Sequence, residues 1–297
     1  MASDQHTTQD PTTQHDAQLP GEQLEHPGIE AEMDRAPDFG EQTYRGSDKL
    51  QGRKAVITGG DSGIGRAVAL AFAREGADVV ISYLEAEERD AQETARVVRD
   101  AGRTAVTVPG DLQDENYCRT LVERAVQELG GIDILVNNAA YQMARGGIAD
   151  ISSAELQRTF QTNIIAMFHT SRTALEHMQP GATIINTASV QAYQPDPMLL
   201  AYAATKAAIV NFSKGLAQET IERGIRVNVV APGPVWTPLI PATMPEEKVE
   251  EFGAEESPTG RAAQPAELAP VYVFLASQES SYINGETIGV TGGVPLP

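Results

Sequence analysis

A doubly wound α/β fold of the Rossmann type, with a seven-stranded parallel sheet, is what this sequence predicts. Three observations point there. From Gly52 on, short β-rich runs alternate with longer helical ones. The short runs are nearly continuous in Val and Ile, as strands buried on both faces are. A glycine-rich turn, Thr58-Gly59-Gly60-Asp61-Ser62-Gly63-Ile64-Gly65, closes the first run and opens a helix. Strands joined by helices pair in parallel through right-handed crossovers. The expected strands are Lys54–Thr58, Asp78–Tyr83, Thr104–Pro109, Asp133–Asn137, Thr183–Thr187, Arg226–Ala231 and Thr287–Thr291. The helices expected between them are Ile64–Glu75, Glu87–Ala101, Glu115–Leu129, Ser153–Met178 (two, merged or kinked), Leu199–Glu222 and Ala266–Ser277. The rhythm assigns residues 51–297 to one domain.

The first fifty residues differ in kind. Residues 1–45 hold ten acidic residues and two basic ones, Arg35 and Arg45, which is −8 of the net charge of −19. Residues 1–25 are rich in Gln, His, Thr and Asp and poor in apolar groups, so a disordered acidic tail is expected. His6, His15 and His26 are too irregularly spaced for a metal site, and none is expected. Between residues 26 and 50, Ile29, Met33, Phe39 and Tyr44 appear among prolines. An extended arm lying on the body is the reading there.

Charge and composition narrow the function. A surface this acidic repels nucleic-acid phosphates and anionic membranes. No apolar stretch reaches the length of roughly 18 residues that a membrane helix needs. The start lacks the basic and apolar regions of a secretory signal. The single Cys118 forms no intrachain disulfide. A cytoplasmic protein acting on a small molecule is expected.

Two motifs carry chemistry. The glycine turn lets backbone N–H groups approach a pyrophosphate at a helix N-terminus. Tyr202 and Lys206 are four residues apart, which stacks them on one helical face. A phenol beside an ammonium makes an acid that works near neutral pH, because the positive charge stabilises the phenolate. Ser189 lies thirteen residues before the Tyr.

In these residues the chain resembles the short-chain dehydrogenase/reductase family. Thr58–Gly65, Asn137-Asn138-Ala139-Ala140, Asn163, Ser189, Tyr202-x-x-x-Lys206 and Pro232-Gly233-Pro234-Val235-Trp236-Thr237 follow in the family's order, from about Leu50 to Gly293. The acidic arm, Asn138–Met143 and Pro232–Pro241 are similar to its bacterial general-stress-protein or aldehyde-reductase subgroup. The resemblance implies a hydride exchange between NADP or NAD and an aldehyde, ketone or sugar-like alcohol. It implies Tyr202 as general acid–base, Lys206 lowering its pKa, Ser189 positioning the substrate oxygen, and Asn163 holding a relay water. It also implies that Gly59, Ser62, Gly63, Ile64 and Gly65 line the pyrophosphate. Asp111 and Leu112 would meet the adenine, and Asn138 and Ala139 the adenosine ribose. Tyr202 and Lys206 would meet the nicotinamide ribose, with Pro232, Gly233, Val235 and Thr237 around the nicotinamide. Ala140 departs from the family's Gly and narrows the cleft. An enoyl reductase fits less well, since that branch spaces Tyr and Lys more widely.

The end of the second strand offers Tyr83 where an NAD enzyme has a carboxylate. Nothing acidic at that position repels a 2′-phosphate, which tilts the expectation to NADP, with NAD close behind. Asp61 and Glu85 weigh the other way. Tyr141, Gln142, Gln191, Tyr193 and Trp236 are expected in the substrate wall, with residues 236–252 as a lid. Apolar residues on several faces of the helices around Ile164–Phe168 and Ala207–Phe212 predict a homotetramer. The competing reading is a dinucleotide-binding sensor or scaffold that works through its acidic tail.

Overall fold

The computed structural model describes residues 8–297 of the chain. Its centre is one seven-stranded sheet in the order β3-β2-β1-β4-β5-β6-β7. The strands are β1 Lys54–Thr58, β2 Asp78–Tyr83, β3 Ala105–Pro109, β4 Ile134–Asn137, β5 Thr183–Thr187, β6 Arg226–Pro232 and β7 Thr287–Val290. Every pairing is parallel; Ala55 sits beside Val79 on one side and Ile134 on the other. The doubly wound expectation is met. The order reverses between β1 and β4, so a crevice opens at their carboxyl ends.

Helices cover both faces. They are α1 Gly63–Arg74, α2 Glu88–Asp100, α3 Glu115–Leu129, α4 Ser153–Phe160, α5 Ala166–His177, α6 Leu200–Thr220, α7 Leu239–Thr243, α8 Glu246–Glu250 and α9 Pro265–Ala276. One core layer packs Ala67, Ala71 and Phe72 of α1 with Ile57 and with Leu268 and Tyr272 of α9. The other packs Val56 and Leu135 with Leu121 and Val122 of α3 and Ala174 of α5. The long helix expected over 153–178 is divided by a π turn, Gln161–Ile165, centred on Asn163. Among the described residues no helix is long and apolar enough to cross a membrane.

The N-terminal chain lies against the body from further upstream than the expected boundary at residue 26. Residues 1–7 of the tail, with His6, lie outside the described residues. Leu19 is buried in a cluster with Met33, Trp236, Ile240 and Met244. The Leu24 N–H donates to the Pro241 carbonyl at 3.1 Å. Arg261 Nε donates to the Pro11 carbonyl at 2.8 Å. Composition hid this because a few apolar side chains suffice when a hydrophobic seat already exists. His15 stands 3.8 Å from Glu267. His26 lies elsewhere, with its ring centre 5.1 Å from that of Tyr141.

A buried ionic knot ties the arm to the first βαβ unit. Arg66 of α1 pairs with Glu30 of the arm, and both are almost fully buried. Arg66 also donates to the carbonyls of Asp61 and Asp90 and to the Thr94 hydroxyl. The Glu30 and Ala31 N–H groups donate to the Asp90 carboxylate at 2.6 and 3.1 Å. Glu30 in turn accepts from the Gly63 N–H at 2.7 Å. Burial pushes the Glu30 carboxyl up to about 7, while the guanidinium pulls it down. Removing one member of a buried pair strands the other charge. Arg66→Met should therefore cost about 3–5 kcal/mol in a urea unfolding experiment. A loss under about 1 kcal/mol would mean that the knot is solvated and carries no such weight.

Candidate active site

The crevice is a cleft of about 670 Å³, within the range of roughly 300–1,000 Å³ usual for small-molecule and cofactor sites. At one end stands the glycine turn between β1 and α1. Gly59 and Gly63 adopt φ of +59° and +48°, in the left-handed region that favours glycine. A Cβ on Gly63 would come within 2.9 Å of the Thr237 methyl. Gly59, Ser62, Gly63 and Ile64 line the cleft. Gly65 does not. It lies behind the turn, where a Cβ would meet the Gly59 carbonyl oxygen at 1.8 Å, so its glycine seats α1 against the turn. Ser62 stands at the N-cap without a capping side-chain bond. The first-turn amides of a helix attract anions. This cradle, at the carboxyl end of β1, fits a dinucleotide's pyrophosphate.

The other expected cofactor residues fall along the same cleft: Tyr83, Asp111, Leu112, Asn138, Ala139, Pro232, Gly233, Val235 and Thr237. Asn138 has a second task. Its amide donates to the carbonyls of Thr58 and Gly59 at 3.2 and 3.0 Å, bracing one wall against the other. Tyr83 is buried, and its hydroxyl donates to Glu88 at 2.6 Å.

Ser189, Tyr202 and Lys206 meet in the cleft where β5 ends against α6. Lys206 is 2 % exposed. Its Nζ donates to the Thr187 carbonyl at 2.9 Å and lies 5.1 Å from the centre of the Tyr202 ring. Burial pushes this ammonium down to about 7. Burial also pushes the Tyr202 phenol up to about 12, and the Ser189 hydroxyl beside it counters the rise. The sequence predicts a phenol lowered by Lys206. The geometry corrects this, because Nζ faces the ring and a carbonyl, and desolvation dominates. The Thr187 hydroxyl bonds Tyr272 at 2.8 Å, which closes the floor.

Asn163 is buried behind this group and does not line the cleft. Its amide donates to the Tyr141 carbonyl at 2.9 Å and to the Thr205 hydroxyl at 3.0 Å. Its Oδ1 accepts from the Tyr141 N–H at 2.7 Å. It thus ties the segment after β4 to α6.

Of the residues expected in the substrate wall, three lie on the cleft. Tyr141, Gln142 and Gln191 line the cleft. The Gln142 amide donates to Thr243 of α7 at 3.0 Å, and the Gln191 Oε1 accepts from the Asp196 N–H at 2.7 Å. Trp236 and Tyr193 are corrections. Val235 and Thr237 face the cleft, so the intervening Trp236 points the other way, as alternation along extended chain requires. It is fully buried against the arm, and its indole N–H donates to the Arg35 carbonyl at 2.9 Å. Tyr193 follows a 3-10 turn, Val190–Ala192, and packs instead beside Met167, Ile209 and Val210.

Among the cleft residues that sequence reasoning missed are His26–Gly28, Arg158 and Glu87; Asp61, weighed there for its charge, lines the cleft as well. Arg158 stacks over Tyr141, 4.3 Å from the ring centre, and lies 3.4 Å from His26 Nδ1. Burial and this neighbouring cation push the His26 imidazole down. The one available signal was spacing: Arg158 precedes Thr162, another cleft residue, by one helical turn. Asp61 and Glu87 are both pushed up by burial, to about 6 and about 8, with neighbouring carboxylates adding to the rise.

Residues 59–295 match a family model described as enoyl-(acyl carrier protein) reductase. The chain is 54% identical over 289 residues to the uncharacterized oxidoreductase YghA of Escherichia coli, covering 97% of this chain and 98% of that one. It is 48% identical to NADPH-dependent aldehyde reductase 1, chloroplastic, of Arabidopsis thaliana, over 90% of this chain and 94% of the relative. A short-chain dehydrogenase from Burkholderia cenocepacia, solved in complex with NADP, superposes with a TM-score of 0.77 at 34% identity, over 82% of this chain and 98% of that one. At such identity over nearly its whole length, the chain belongs to the short-chain dehydrogenase/reductase family.

Proposed function

We propose that this protein is an oxidoreductase of CH–OH groups that uses NADP or NAD to interconvert a small carbonyl compound and its alcohol. One observation carries the reading. The buried Ser189–Tyr202–Lys206 group and the glycine cradle share a single cleft. The names of the Arabidopsis relative and the Burkholderia structure, with NADPH and NADP, support the phosphorylated cofactor. An aldehyde, ketone or sugar-like alcohol suits a wall of Tyr141, Gln142 and Gln191. The spacing of Tyr202 and Lys206 favours carbonyl over enoyl chemistry.

A bound nicotinamide supplies the hydride donor or acceptor. The chain supplies the proton and the alignment. Tyr202 holds the proton on its phenol oxygen and gives it to the forming alkoxide. Ser189 donates to the same substrate oxygen and fixes its position. Lys206, anchored on the Thr187 carbonyl, orients the ribose and meets the phenolate as it forms. Both amide hydrogens of Asn163 are committed, so a relay water would rest on the backbone carbonyl of its π turn.

The exposed residues Ile165, at the end of the π turn, and Phe168 on α5, at 38% and 51% of their surface, favour association of copies through this face. The Phe168 ring stacks 4.3 Å from Phe212 of α6, extending the patch across both helices. A cytoplasmic homotetramer is the assembly we infer. The competing sensor reading needs a free tail, and contacts from Pro11 onward leave little of one.

Three measurements test these roles. Tyr202→Phe should lower kcat by about 10²–10⁴ while cofactor affinity is kept. Turnover near that of the unaltered protein would remove Tyr202 from the chemistry. The raised phenol is protonated at neutral pH, ready as an acid but short of the base form. Alcohol oxidation should therefore accelerate from about pH 7 to pH 10, by up to about tenfold per unit, while carbonyl reduction shows no such rise. Parallel profiles in the two directions would contradict that assignment. Phe168→Asp should shift light scattering toward smaller species, and a monomeric unaltered protein at micromolar concentration would refute the tetramer.

A further inference from the structure

The end of the cleft formed by the glycine turn and β2 carries groups for which the proton chemistry has no use. Asp61 is 2 % exposed, lines the cleft, and has no hydrogen-bond partner at Oδ2. The preceding residue, Gly60, donates its N–H to the Ser82 carbonyl at 3.1 Å. Asp61 is thereby held against the carboxyl end of β2, where a Rossmann sheet receives the adenosine ribose. Glu87 lines the same end, its carboxylate accepting from the Leu84 N–H at 2.8 Å. Tyr83 occupies the strand position of the usual ribose-binding carboxylate, but its hydroxyl is given to Glu88.

We propose that Asp61 and Glu87 read the adenosine ribose of the cofactor, and that their protonation decides whether a 2′-phosphate is accepted. The inference rests on the nicotinamide-dependent function proposed above. As carboxylates, the two accept hydrogen bonds from ribose hydroxyls and repel a phosphate. As neutral acids, each has an O–H to donate to a phosphate oxygen. The surroundings favour the neutral form. Glu30 of the arm and Asp90 of α2 stand near as like charges. Arg66 is the cation that faces them, and it is shared by Glu30, Asp90 and the Asp61 carbonyl. Tyr83 of β2 is a further titratable neighbour of Asp61, and burial keeps it protonated, at about 12. Glu88 of α2 faces Tyr83.

The sign follows from these directions. Both carboxyls titrate above their ordinary range, at about 6 and about 8. Rising pH across that window adds negative charge at the 2′ position. NADP binding should weaken relative to NAD, whose 2′-hydroxyl gains an acceptor. The device would let one pocket serve both cofactors, with the balance set by pH.

Calorimetric titration of the full chain with NADPH and with NADH tests this. Between about pH 6 and pH 9 the ratio of NADPH to NADH affinity should fall by about tenfold or more. The 2′-phosphate itself loses its second proton near pH 6, roughly, so the variants decide. Asp61→Asn and Glu87→Gln should each reduce the fall to about threefold or less, and raise the ratio at the alkaline end. Glu87 is only half-buried, unlike Asp61, so Glu87→Gln serves where Asp61→Asn fails to fold. A ratio that ignores pH, or a fall that the variants retain in full, overturns the inference while leaving the function standing. Absence of binding by either dinucleotide at every pH overturns the function, and this inference with it.

Discussion

The structure depends first on one buried cation. Arg66 comes from α1, yet its guanidinium joins the arm through Glu30, the glycine turn through the Asp61 carbonyl, and α2 through the Asp90 carbonyl and the Thr94 hydroxyl. Taking such a group out of water is favourable only when nearly every donor finds an acceptor. That requirement fixes three segments at once. The turn cannot drift without exposing Arg66. The arm cannot leave without stranding it. Because Glu30 also accepts from the Gly63 amide, the arm reaches the first turn of α1, at the end of the helix that borders the cleft. Cofactor cradle and N-terminal arm are therefore one structure, although more than thirty residues separate Glu30 from Gly63 in sequence.

The second organising constraint is desolvation at the Ser189–Tyr202–Lys206 group proposed to be catalytic. Burial moves Tyr202 and Lys206 in opposite directions, both toward the neutral form. A neutral pair is cheap to bury and ready to separate charge once a substrate oxygen arrives. The network around it is rigid. Lys206 is fixed on β5 through Thr187, Thr187 on Tyr272, and Asn163 joins α6 to the Tyr141 segment. Donors held in place before the reaction need no reorganisation during it, which is where such sites gain most of their effect.

Much of this was legible in the sequence, for local reasons. The glycine turn, the strand–helix rhythm and the Tyr202–Lys206 spacing are short-range patterns with fixed periods. They led to the sheet, the cleft and the group in it. What failed was long-range or orientational. The neighbours of Trp236 in sequence point it to the substrate wall, but backbone alternation turns it into the arm. Proximity to Ser189 puts Tyr193 in the wall, and a single 3-10 turn rotates it away. Gly65 belongs to the motif but serves packing rather than contact. The effect of Lys206 on Tyr202 was read from charge alone, whereas burial, which spacing does not reveal, dominates both groups. The docked upstream chain is hidden in sequence because its few apolar residues pack only against distant ones such as Trp236 and Ile240.

The arm also explains how the two halves of the cleft can act together. On one side it holds the glycine turn, through Glu30 and Gly63. On the other it holds the segment after β6: Trp236 donates to Arg35, Leu24 donates to Pro241, and the Gln23 amide donates to the Met244 carbonyl at 3.0 Å. Between these anchors His26–Gly28 lines the cleft, so close to α7 that a Cβ on Gly28 would sit 2.6 Å from the Pro238 carbonyl oxygen. The segment after β6 and the glycine turn are thus joined by a strap that is independent of the sheet. The body holds that segment at Thr243 through Gln142 and Ala144, and the residues upstream of β1 add a further, buried anchorage around Trp236 and Ile240. In this protein the arm is better understood as part of the active-site architecture than as an appendage to it.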